Sequence, residues 1–118
     1  MKSSLRLLLL AFAFGLVISA QAEKSKIVFI SGNPSHGPMS HEHRAGNMIL
    51  DKRLNQSGLD VEAVVLKDIG YPKDPSVLAD AATIVIFCTG HGGHVLNPGL
   101  KSFEALMKRG VGVVMIHW

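Results

Sequence analysis

The sequence predicts an α/β fold, a doubly wound parallel sheet, and three observations predict it. Short runs rich in Val, Ile and Phe recur at residues 26–31 (KIVFIS), 82–88 (ATIVIFC) and 111–116, apolar enough to be buried on both faces. Between them lie segments whose apolar residues follow helical spacing, bounded by Ser, Asp or Asn at one end and Gly at the other. Strands alternating with helices imply right-handed crossovers and a sheet covered on two sides.

The first 22 residues stand apart. Lys2 and Arg6 give a positive start, Leu7 to Ile18 is an unbroken apolar run, and Ala20-Gln21-Ala22 is a small-residue cleavage site, the pattern of a secretory signal peptide. The run falls short of the roughly 20 residues a helix needs to cross a bilayer, so a cleaved leader is expected rather than a membrane anchor. The expected location is exported, periplasmic or extracellular.

The elements follow in order. Residues 26–31 form a strand that leaves into Gly32-Asn33-Pro34. Ser40 is the expected N-cap of a helix running to about Ser57, with Gly58 as its stop and Ala45, Met48, Ile49, Leu50 and Leu54 as its apolar side. Residues 59–66 alternate, with Val61, Ala63 and Val65 on one face of a second strand. Residues 67–75 read as a loop into a short helix capped by Asp74 with Pro75 at its first position. The third strand, 82–88, should be central. Asn97-Pro98 opens a further helix in which Leu100, Phe103, Leu106 and Met107 share a face, and Gly110 closes it. The fourth strand is 111–116. A buried parallel strand needs a neighbour on each side, and only His117 and Trp118 follow this one, so the expectation is a domain truncated after the fourth strand.

The formal charge of +3 includes Lys2 and Arg6, so residues 23–118 are close to neutral. Their Lys and Arg are scattered among acids, which argues against a nucleic-acid partner. Nor is a membrane partner expected once the leader is removed. Cys88 is the only cysteine and lies inside a strand, so it reads as a small buried hydrophobe. The sequence leaves oligomeric state open.

Chemistry is concentrated in the histidines. His36, His41 and His43 follow the first strand, His91 and His94 follow the third, and His117 closes the fourth. Ligands of doubly wound sheets bind outside the carboxyl ends of the strands, near the point where strand order reverses. With the order 2-1-3-4 of flavodoxin-like sheets, all these exits line one rim. Imidazoles there can bind a metal, transfer protons near neutral pH, or hydrogen-bond a polar ligand. The expected acid–base group is His41, His43 and His117 with Glu42. Arg44, His36, Gly92 and Gly93 are the expected substrate contacts, the glycines because Gly90-His91-Gly92-Gly93 offers backbone N–H groups. His43, His91 and His94 are the expected ligands if a divalent ion such as zinc is bound.

KIVFISGNPSHG, HEHRAG, GHGGH and the closing GVVMIHW together resemble the amino-terminal half of ThuA-like (trehalose utilisation) domains. Residues 23–118 would then be the amino-terminal part of such a domain, within the class I glutamine amidotransferase-like superfamily, whose sheet is flavodoxin-like. In amidotransferases the segment matching GVVMIHW leads to a nucleophilic cysteine. The position is His117 here, so thiol-based glutamine hydrolysis is not implied. The resemblance implies carbohydrate metabolism: a hydrolase or lyase acting on sugars or keto-sugars, with a small-molecule carbohydrate as partner. The alternative is a non-catalytic sugar-binding or interaction module of a larger exported protein.

Overall fold

The computed structural model describes residues 23–90 and 93–117. The expected signal peptide lies outside the described residues, as do His91, Gly92 and Trp118. Strand β1 (Ser25–Ser31) is followed by helix α1 (His43–Asn55), β2 (Val61–Ile69), a 3₁₀ turn (Pro75–Leu78), β3 (Thr83–Phe87), a second 3₁₀ turn (Asn97–Gly99), helix α2 (Leu100–Lys108) and β4 (Gly112–His117). All pairings are parallel and the order is β2-β1-β3-β4, a flavodoxin-like arrangement. Among the described residues, no helix is long and apolar enough to cross a membrane.

Alternation along the strands builds two cores, one on each face. Val28, Ile30, Ile84 and Ile86 point to one side, where Leu106 is buried and Phe103 and Met107 of α2 pack against them with Leu78, Cys88, Val95 and Leu96. Phe29, Ala63 and Val85 point to the other, joined by Leu54 of α1 and by Val65. A central parallel strand buried on both faces therefore has no polar side, which is why β1 and β3 read as continuous apolar runs.

Several boundaries differ from expectation. Helix α1 starts at His43 rather than after Ser40, with Glu42 at the N-cap and no side-chain cap. The carboxylate of Glu42 instead accepts a hydrogen bond from the Met39 N–H, and Ser40 lies in a turn closed onto Gly37. The inward face of the helix is also not the apolar one. Met48, Ile49 and Leu50 are 55, 63 and 40% exposed, whereas His43 and Asn47 are fully buried. The inner stripe runs through 43, 47 and 54, at i, i+4 and i+11, so a helix beginning at His43 turns two polar side chains to the sheet. Each is retained there by hydrogen bonds: the Asn47 amide donates to the Ile30 carbonyl at 3.2 Å and to Ser31 Oγ at 2.9 Å.

Strand β2 is longer than the alternating segment, continuing through Lys67 and Asp68 to Ile69, which pairs with Ser31. It is an edge strand, and charged residues suit an edge. The Asn55 side chain blunts part of that edge by bonding both the N–H and the carbonyl of Ala63, each at 2.9 Å. Asp74 caps the first 3₁₀ turn through Ser76 as expected. In α2, Leu100 is exposed at the first position of the helix, whereas Leu106 is buried and Phe103 and Met107 pack against the core. Strand β4 pairs with β3 and is exposed along its whole length.

Candidate functional site

Strand order reverses between β1 and β3, and the segments leaving these two strands meet there. Gly32 makes the approach possible. Its N–H bonds the Phe87 carbonyl at 2.8 Å, and a Cβ on it would lie 2.5 Å from Cys88 Cβ and 2.9 Å from Cys88 Cα. Gly32→Ala is therefore expected to destabilise the fold by about 1–3 kcal/mol, because backbone must move to admit the methyl group. Chemical denaturation against the parent chain measures this. An unchanged midpoint would show that the two exits have room to separate.

Beyond Gly32 the chain makes a tight excursion. His36 and Met39 both adopt left-handed backbone, with φ of 66° and 65°, and Ser35 forms an antiparallel bridge with His41. Left-handed non-glycine residues cost energy and concentrate at ligand sites. The excursion carries His36 and His41 to the mouth of α1, beside His43. His117 reaches the same place by a register shift. Ile86 pairs with Met115 but Phe87 pairs with His117, so Ile116 is an extra residue in β4. Without that bulge, Ile116 would stand opposite Phe87 and His117 would face the far side of the sheet.

The result is a cluster of four imidazoles centred on His41. The His41 ring lies 4.3 Å from His36, 4.9 Å from His117 and 6.0 Å from His43, centroid to centroid, and His43 is 6.5 Å from His117. Below them His43 is edge-on to Phe87 at 4.9 Å. His43 Nδ1 meets the Asn33 carbonyl at 2.8 Å, and its Nε2 meets Thr89 Oγ1 at 3.2 Å. Thr89 Oγ1 is 2.6 Å from Ser35 Oγ, which in turn lies 2.9 Å from His41 Nδ1 and 3.2 Å from His36 Nδ1. Ser35 and Thr89 were not among the expected site residues. A serine or threonine in a strand-exit loop carries no distinguishing pattern, and their importance comes only from the meeting of β1 and β3.

Partial removal from water, and then the neighbouring rings of His36, His117 and His43, hold the His41 pKa below its ordinary 6.5. The sign of the stability effect follows. Between the lowered folded value and 6.5 the unfolded chain binds more protons than the folded one, so stability falls as pH drops through about 6.5. Denaturation midpoints are expected to be lower at pH 5.5 than at pH 7.5, with the difference reduced in His41→Gln. An equal drop in the variant would assign the effect to other groups.

Among the described residues, the other expected site residues stand apart from the cluster or are otherwise engaged. Arg44 turns to β2, where its guanidinium donates to the carbonyls of Leu66 and Lys67. That ties α1 to the end of β2 and occupies the group expected to clamp substrate. Glu42 is exposed and braces the turn at Met39. Gly93 is exposed with open space around it. His94 accepts from the Leu96 N–H at 3.2 Å on Nδ1, so its Nε2 faces Cys88 Sγ at 3.7 Å. It organises the loop before α2. Burial pushes the Cys88 thiol pKa up, against a smaller opposing influence of the Val95 N–H, as suits an inert core thiol.

Of the three histidines expected as metal ligands, two are described, and each is engaged in hydrogen bonds. Both His43 nitrogens are engaged, His94 bonds its own loop, and His91 lies outside the described residues. Among the described residues, no group of three or more His, Cys, Asp or Glu side chains is placed to hold a metal ion. A concavity of about 380 Å³ lies at the opposite edge, lined by β2 and the loop to Val77. It contains no imidazole. No protein-family model matches this chain, and no curated protein or solved structure shows significant similarity to it.

Proposed function

We propose that this chain is an exported, ThuA-like protein of carbohydrate metabolism, a hydrolase or lyase that acts on sugars or keto-sugars with His41 as its base. The observation that carries the reading is the position of His41, half-buried on the rim at the strand-order reversal with three other imidazoles around it. A pKa held below the ordinary value leaves the ring unprotonated at neutral pH, the form a base requires. His36 and His117 flank it and are exposed, so either can return a proton to a departing oxygen. In an elimination from a keto-sugar, His41 would take the proton next to the carbonyl while a neighbouring imidazolium protonates the leaving hydroxyl. In a hydrolysis the same pair would serve water and the leaving oxygen. The exported location is supported by the leader pattern of residues 1–22, and the partner in this reading is a small-molecule carbohydrate outside the cytoplasm.

Incubation of the full chain with a panel of neutral sugars and their keto derivatives, read by mass spectrometry, tests this. Product formation that disappears in His41→Ala supports it. Binding of a sugar with no product from any member would replace the enzyme with a sugar-binding module.

A further inference from the structure

The hydrogen bonds under the imidazole cluster have a direction that one atom decides. The Asn33 carbonyl can only accept, so His43 Nδ1, 2.8 Å away, carries the hydrogen. In the neutral ring Nε2 then has a lone pair, and Thr89 must donate its hydroxyl hydrogen to it across 3.2 Å. A hydroxyl has one hydrogen, so Thr89 can only accept from Ser35 at 2.6 Å. Ser35 has now given its own hydrogen and can only accept from His41 Nδ1 at 2.9 Å and from His36 Nδ1 at 3.2 Å. Its two lone pairs are filled by those two N–H groups. Every hydrogen along this chain of bonds thereby has an acceptor.

We propose that Ser35 and Thr89 are positioning residues whose hydroxyl pair, anchored through His43 on the Asn33 carbonyl, fixes His41 as the tautomer with hydrogen on Nδ1 and the lone pair on Nε2. The proposal rests on the reading of His41 as the base and states which of its atoms acts. It also rules on Ser35, whose oxygen is 2.9 Å from an imidazole nitrogen and could be taken for an activated nucleophile. In this arrangement His41 donates to Ser35 rather than accepting from it, so the hydroxyl is an acceptor and is not being deprotonated. The fixed tautomer leaves Nε2 of His41 outside the network, unprotonated and able to take a proton from a bound ligand. An imidazole without such an anchor exchanges its hydrogen between both nitrogens and presents the base only part of the time.

The test is a long-range ¹H–¹⁵N correlation spectrum of the full chain labelled at histidine, recorded near pH 8 where ordinary imidazoles are neutral. The wild-type spectrum is expected to show His41 with a protonated Nδ1 and an Nε2 at the downfield, lone-pair position. Thr89→Val should convert that single pattern to a mixed one, and Thr89→Ser, which keeps the hydroxyl, should restore it. A wild-type His41 protonated on Nε2 overturns the proposal, as does an unchanged pattern in a folded Thr89→Val chain. The wild-type measurement needs no variant, so a Thr89→Val chain that fails to fold does not remove the test. A spectrum as expected from a chain that transforms no sugar would support the hydroxyl relay and reject only the catalytic reading.

Discussion

His41→Ala is expected to reduce turnover of the transformed sugar by about 10²–10⁴-fold, the usual worth of a positioned acid–base group, while leaving the chain folded. The magnitude comes from the role, because proton removal next to a carbonyl or from water is slow without a base held in reach. The specificity comes from the surroundings. His43 is fully buried and bonded on both nitrogens, so its loss should unsettle the loop rather than remove a reacting group. His36 and His117 are exposed, and each lies on one side of His41, so single replacements of either should cost less than His41 because the other can still supply a proton. Retention of structure should be visible as an unchanged thermal midpoint near neutral pH, since His41 lies at the rim and outside both apolar cores. If His36→Ala or His117→Ala abolished turnover while His41→Ala did not, the base would have been assigned to the wrong ring.

Phe29→Ala is expected to lower unfolding free energy by about 3–5 kcal/mol, the range found when a buried aromatic ring is truncated. Phe29 is 1% exposed at the centre of the sheet, paired with Val65 on one side and Val85 on the other. With Ala63 and Val85 it makes up the buried residues of the core under α1, so little is nearby that can fill the space. The inner face of α1 cannot collapse inward, because His43 and Asn47 are held by bonds to the β1 exit. For a domain of this size each kcal/mol lowers the midpoint by roughly 4–8 °C, so a melting curve followed by circular dichroism reads the effect easily. A loss below about 1 kcal/mol would mean that α1 is not seated on this face as described.

Much of the fold is legible in the residues themselves. β1 and β3 are apolar in both parities because they are covered on two sides, and that composition alone marks them as central. The expected order 2-1-3-4 is the order observed. The inner face of α1 was not legible, because its stripe contains His43 and Asn47, and a polar residue looks like a surface residue until its partners are known. The engagement of Arg44 was not legible for a related reason: a guanidinium near a loop of histidines suggests a ligand clamp, and its bonds to the carbonyls of Leu66 and Lys67 depend on how α1 sits against β2. At the site, His36, His41, His43 and His117 do meet, as strand-exit positions imply. His94 does not join their ring contacts, since its loop turns back to bond Cys88 and Leu96. The extra residue at Ile116 that aims His117, and the hydroxyls of Ser35 and Thr89, depend on register and on loop meeting points. Neither is written in local spacing.

The exposure of β4 bears on how the chain behaves in a tube. Val113, Val114, Met115 and Ile116 are between 38 and 47% exposed, and among the described residues the strand is bonded to β3 on one side only. An unprotected row of peptide groups flanked by greasy side chains is a growth front for any extended backbone it encounters. Handling of this chain will therefore be governed by concentration and time as much as by folding free energy, and a turbid sample would report on that front while the histidine rim remained intact.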